Sequence, residues 1–208
     1  VMAGLNTHAV ILKNLERFDE AEDLYRSVIE RYRNTLSPTH VRVLSAEQNL
    51  AALLVARTRY GEALELYRAI LERRRESLGD EHPDVASTLH RIAALHLARG
   101  TSRDAHAILL DVVERRRNQL GDRHPNVANS LALLGRTHLD LGDPLAAERV
   151  LRESLDIRRQ QLAEDHWRIG ESESLIAGAL IDQRSRASNA SKQLAGRTTR
   201  RRSRRESA

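Results

Sequence analysis

The sequence predicts an all-α chain built from stacked antiparallel helix pairs. Self-similarity carries this first: LGDEHP at Leu78 returns as LGDRHP at Leu120, 42 residues on, with fainter copies at Leu36 and Leu162. One fixed period of this length marks a repeat architecture, and it has to be recognised before any shorter motif. The second observation is that each copy holds two runs of apolar residues at helical spacing. The third is punctuation, because Gly and Pro fall between those runs at matching places.

Ala3 to Glu16 read as the first helix of a unit without its beginning, with Leu5, Ala9 and Leu12 on one face. Phe18-Asp19 is the expected turn, and Glu20 to Arg33 the second helix. The next unit runs Val41 to Arg57, a turn at Gly61, then Glu62 to Ser77. The third runs Asp84 to Arg99, Gly100, then Ser102 to Asn118. The fourth runs Asn126 to Leu141, Gly142, then Pro144 to Gln160. A last first-helix covers Trp167 to Gln183. Gly79 and Gly121 suit left-handed caps after second helices. Pro83 and Pro125 suit the first helical position, where a missing N–H costs nothing. Beyond Arg184 the apolar face is lost, with Asn189 and Gln193 aligned on Ala147 and Leu151, so residues 184–208 are expected to form a basic, disordered tail.

Leu78, Gly79, His82, Pro83, Val85, Ala86, Leu89, Ala93, Gly100, Ala105 and Leu109 carry a family pattern, and Leu120, Gly121, His124, Pro125, Val127, Ala128 and Leu131 repeat it. The units resemble tetratricopeptide repeats (TPR) of the kinesin-light-chain-like class. That resemblance implies a right-handed α-solenoid, the TPR superhelix, over residues 1–183: a partial first unit, three full units and one final helix. It also implies an inner groove lined by first helices. From the first unit it places Asn6, Val10, Lys13 and Asn14 there, and from the second Ser45, Gln48, Ala52 and Ala56. Ser87, His90, Ala94 and Ala98 follow, then Asn129, Ala132, Arg136 and Asp140, with Glu171, Ser174 and Asp182 at the far end. Side-chain amides there can hydrogen-bond an extended backbone, and small residues leave room for it. The paired asparagine of the pattern departs to Gln48-Asn49, His90-Arg91 and Ala132-Leu133.

Small residues recur where paired helices must approach within roughly 8–10 Å. Ala9, Ala51, Ala93, Gly135 and Ala177 form one aligned series, and Ala21, Ala63, Ala105 and Ala147 another.

Composition narrows the function. There is no Cys, so no thiol nucleophile, thiolate metal site or disulfide, in keeping with a reducing compartment. Aromatics are 3%, too few for stacking on bases. His40, His82, His124 and His166 lie one repeat apart in separate connectors, whereas zinc ligands must converge within about 2.0–2.3 Å of one ion. No metal or cofactor site is expected. HExxH, a phosphate loop and GxSxG are all missing from the sequence. No apolar run approaches the roughly 18 residues of a membrane span. The net charge of +5 resides in the tail: residues 184–208 hold nine basic residues and one acidic. Arg31 and Arg33, Arg73 to Arg75, Arg115 to Arg117 and Arg158-Arg159 end successive second helices. Cations there favour the helix dipole, and Glu30, Glu72, Glu114 and Asp156 offset them.

The expected function is a non-catalytic, cytoplasmic scaffold that holds a peptide or partner segment in the groove. An alternative is the regulatory or targeting arm of a larger bacterial signalling enzyme such as a serine/threonine kinase. The opening on Val1 inside a helical pattern permits an upstream domain, and the near-exclusive use of Arg over Lys fits a GC-rich bacterial genome. A third reading is non-specific nucleic-acid association through the tail.

Overall fold

The computed structural model describes the backbone of residues 2–206 and the side chains of residues 4–188. Val1, Ser207 and Ala208 lie outside the described residues. The described chain is all helix and connector. It divides into two compact units, residues 1–121 and 122–208.

The first unit holds α1 (Met2–Asn14), α2 (Phe18–Arg33), α3 (Val41–Ala56), α4 (Tyr60–Leu78), α5 (Pro83–Ala98) and α6 (Ser102–Leu120). Each helix packs on the next in sequence, and α1 also touches α3. The second unit holds α7 (Pro125–Asp140), α8 (Pro144–Arg159) and α9 (Trp167–Glu206), with α9 against both others.

The small-residue series mark the close contacts. Ala9, Ala51 and Ala93 on first helices and Ala21, Ala63, Ala105 and Ala147 on second helices are all fully buried. Around them Tyr25, Val28, Leu53, Ile70, Val85 and Leu95 build the core of the first unit. Leu151, Leu155, Ile169 and Ile176 build that of the second. The approach is close at Gly135, where a Cβ would stand 2.4 Å from Cγ of Leu151. Glycine is therefore not interchangeable there with the alanine found in the aligned positions, unless α8 moves away.

Two turns were misplaced by sequence reasoning. Gly61 lies inside α4, and Phe18 and Asp19 lie inside α2. The left-handed residue of each intra-pair turn is Glu16 (φ 59°), Thr58 (φ 57°), Gly100 (φ 74°) and Gly142 (φ 77°). These stand one period apart. The repeat thus demands a backbone conformation at that place, and two units meet it with a side chain that glycine would spare. Gly79 and Gly121 also differ from the expected left-handed cap. Their ψ values of 157° and 156° put them in an extended, positive-φ region that only glycine adopts readily.

Four connectors share one device. Nδ1 of His40, His82, His124 and His166 accepts a hydrogen bond from the backbone N–H two residues on, at 3.1, 3.1, 3.1 and 3.2 Å. Each imidazole caps the start of a first helix, filling the place usually taken by Ser, Thr, Asp or Asn. This is the structural reason for their spacing.

The last helix does not stop at Gln183. It continues to Glu206, where the sequence reading expected disorder from Arg184. That segment has no Pro, and eight of its residues are Arg, which favours a helix even without an apolar face. Contacts with the second unit also run past Gln183. The side-chain amide of Gln183 donates to the Pro144 carbonyl (3.1 Å) and to Glu148 (2.8 Å). Arg186 donates to the Gly142 carbonyl at 2.6 Å.

Candidate peptide-binding surface

The first helices α3, α5 and α7 bury about half of their residues and leave an accessible stripe, whereas α1 also exposes Thr7, His8 and Ile11 outside it. On α3 the stripe holds Ser45, Gln48, Asn49, Ala52 and Val55, all half-buried, and the exposed Ala56. On α1 it holds Asn6, Val10 and Lys13, half-buried, and the exposed Asn14. On α5, Ser87, His90 and Ala94 are half-buried and Ala98 is exposed. These half-buried places recur at helical spacing on all three helices.

In the second unit the picture is less even. Asn129 is half-buried and Arg136 and Asp140 are exposed, but Ala132 is buried, 6% exposed, and offers a partner little surface. Glu171 is half-buried, and Ser174 and Asp182 are exposed.

Two contacts organise the stripe of the first unit. The Asn49 side-chain amide donates to Oδ1 of Asn6 at 3.3 Å, which ties α3 to α1. Asn49 was not among the residues expected at the site, although it is half of the paired amide read in the sequence. The second contact comes from below. Arg74, near the end of α4, is 4% exposed, and its Nη1 donates to Oε1 of Gln48 (3.0 Å), to Oγ1 of Thr88 (2.6 Å) and to the Asp84 carbonyl (3.2 Å). Burial lowers its affinity for its proton. These three acceptors are neutral oxygens, so a buried cation lies beneath the amide of Gln48.

His90 continues this positive region. Burial, then the neighbouring charges of Arg116 and Arg91, push its imidazole down to about 3, so the ring is neutral over the physiological range. Its Nδ1 is buried without a hydrogen-bond partner. The arrangement can position an amide or a carbonyl. It places no nucleophile beside a base.

The arginine clusters at the helix ends are largely neutralised, but mostly not by the carboxylates beside them in sequence. Arg33 and Arg73 converge on Glu47, and Arg75 and Arg115 on Asp80. Arg159 reaches Glu173 at 2.8 Å. Arg75 also pairs with its neighbour Glu72, at 3.1 Å. Among the described residues no group of three His, Asp or Glu could hold a metal ion, and no helix is long and apolar enough to cross a membrane.

Comparison with known proteins agrees with this architecture. None of the curated proteins matches the sequence. Among solved structures, the chain is similar to the nearly identical TPR-like repeats of a kinesin-light-chain-like protein of Podosopora anserina. The TM-score is 0.74 at 24% identity, over 94% of this chain and 93% of that one. It is also similar to BtubC (BKLC) from P. vanneervenii, with a TM-score of 0.68 at 19% identity over 88% and 80% of the two chains. PilF of Pseudomonas aeruginosa follows at 0.64 and 17%, over 88% and 69%. At these identities the likeness is one of fold. The family model for the tetratricopeptide repeat matches residues 1–69, 45–118 and 107–160. Those spans overlap to cover more than half of the sequence, and the chain belongs to the tetratricopeptide repeat family.

Proposed function

We propose that the chain is a non-catalytic interaction module whose first-helix stripes hold an extended segment of a partner protein. The observation that carries this reading is the Asn6–Asn49 pair beside Gln48, which is itself held by Arg74. Ordered amides of this kind can take both the N–H and the C=O of a passing backbone. Holding them in place lowers the entropy lost on binding. Ala52 and Ala94 between them leave room for side chains of the guest.

Residues 1–183 form the binding array in this reading, and the basic segment from Arg184 is an extension with a separate role. The absence of Cys and the near-exclusive use of Arg, with Lys13 and Lys192 the only lysines, favour a bacterial, cytoplasmic setting.

A peptide array probed with the full chain tests the proposal. Hits should bind in solution and weaken in an Asn6→Ala, Asn49→Ala double variant that retains its helical circular dichroism. Peptides bound by the second unit should weaken with Asn129→Ala, Arg136→Glu. A broad panel without a single binder, or binders indifferent to all four substitutions, would count against the groove.

A further inference from the structure

The helix α9 leaves open the face that α3, α5 and α7 cover. Leu44, Glu47, Ala51 and Leu54 of α3 are 2%, 0%, 0% and 3% exposed, and α4 packs on that helix. Three periods on, the same places are Gly170, Glu173, Ala177 and Leu180 of α9. There Gly170, Glu173 and Ala177 are exposed and Leu180 is half-buried. A Cβ built on Gly170 meets nothing within 4 Å.

A second observation points to what would cover this face. Glu47 is held from two sides. Arg33 comes from the preceding second helix at 2.6 Å, and Arg73 comes from α4. Only half of that arrangement recurs on α9. Arg159, the counterpart of Arg33, reaches Glu173 at 2.8 Å, yet Glu173 stays 50% exposed where Glu47 is 1%. No described side chain stands where Arg73 would, and a cavity of about 560 Å³ opens there, lined by Arg159, Glu164, Ile169 and Glu173. The lining carries two carboxylates against one guanidinium, so it favours one more cation.

We infer that α9 is a docking seat for an amphipathic helix of another protein, one that carries a small residue where α4 has Ala63 and an arginine where α4 has Arg73. The seat thus takes the helix that a further repeat would supply, and the arginine completes the ion triad on Glu173. The chain itself offers no occupant among its described residues. Its second helices α2, α4, α6 and α8 are each packed on their own first helix, so a second copy has none to lend. Residues 184–206 continue α9 in one direction and do not turn back along it.

The probe is a labelled 19-residue peptide with the sequence of α4, residues 60–78, titrated into the full chain and followed by fluorescence anisotropy. Binding should saturate, and should weaken by about tenfold or more with Glu173→Arg, since a charged pair loses one partner and gains a repulsion. Ala177→Tyr should fill the seat and weaken it as well. A peptide carrying Arg73→Glu should recover affinity for the Glu173→Arg chain. Both altered positions are exposed, so thermal melts should match the parent, which separates lost docking from lost fold. The groove variant Asn6→Ala, Asn49→Ala should bind the peptide normally, which keeps this outcome apart from the groove proposal. No binding, binding unchanged by both α9 substitutions, or a dimer of the chain that Ala177→Tyr splits would each overturn the inference.

Discussion

At the first junction of the first unit, among α2, α3 and α4, the buried position facing the preceding helix is Glu47, 0% exposed. At the second junction, among α4, α5 and α6, the same position is Leu89, 8% exposed. The arginines around it are the same in both. Arg33 and Arg73 turn inward and share the Glu47 carboxylate, while their counterparts Arg75 and Arg115 turn to Asp80 in the connector, each at 2.8 Å. The repeat therefore prescribes a place and a pair of cations, and leaves open where their anion stands. A buried carboxylate is tolerated only because charge-assisted hydrogen bonds replace its water. Where leucine fills the place, the cations need an anion elsewhere, and Asp80 supplies it together with Asp111 and Glu81.

Exchanging the two solutions breaks the comparison hardest. Leu89→Glu puts a carboxylate where Arg75 and Arg115 are already paired, and should cost ~3–5 kcal/mol in urea unfolding, as uncompensated buried charges do. Glu47→Leu should be milder, because the carboxylate is the buried member of the cluster and leucine fills a similar volume. The arginines it releases, 53% and 20% exposed, can reach water. If Leu89→Glu proved harmless, the arginines would have swung from Asp80 to the new carboxylate, and the two junctions would be interconvertible after all.

The histidine caps supply a control, because the two junctions share them. His40→Ala and His82→Ala should each cost about 1 kcal/mol, the usual loss for an N-cap. His→Asp at either place should return most of it, since a carboxylate also accepts from those N–H groups and suits a helix N-terminus. Equal losses in urea would confirm that only the buried position differs. A loss at His82 several times that at His40 would show that the connectors are not equivalent.

The sequence made the pairing of helices legible because Ala, Gly and Leu recur at one period, and close packing leaves such positions little freedom. It misled at the turns, where Gly61 looked like the breaker. The φ that matters falls at Thr58, which carries no mark of its own unless it is aligned on Gly100. The ion partners of the arginines were not legible either. Charged neighbours in sequence such as Glu30 and Glu114 look like partners, whereas Glu47 and Asp80 are brought in by the stacking of helices. For the candidate groove, resemblance placed the stripe, but it could not show that Arg74 rises beneath Gln48 or that Asn49 reaches Asn6. Those contacts join side chains 26 and 43 residues apart.

The smallest expected effect sharpens the contrast at the second junction. Arg115, and after it Arg75, hold the Asp80 carboxyl below the usual aspartate range. A group whose folded value is depressed contributes stability that is complete above its unfolded value, about 3.9 for aspartate, and is lost as the pH falls through the lower folded value. Acidifying the chain should therefore weaken the second junction only below about pH 4. Asp80→Asn should flatten that part of the stability curve without changing its level at low pH. The effect is modest, because Asp80 is 47% exposed and water screens the pair. Salt adds a second arm. With a Debye length of about 3 Å at 1 M, most of the Asp80 contribution should vanish, while that of Glu47, whose carboxylate is buried although Arg33 is exposed, should be screened less. A curve in which salt and Asp80→Asn leave the acid limb untouched would mean that Asp80 merely accompanies the arginines, and that Asp111 is the anion on which Arg115 depends.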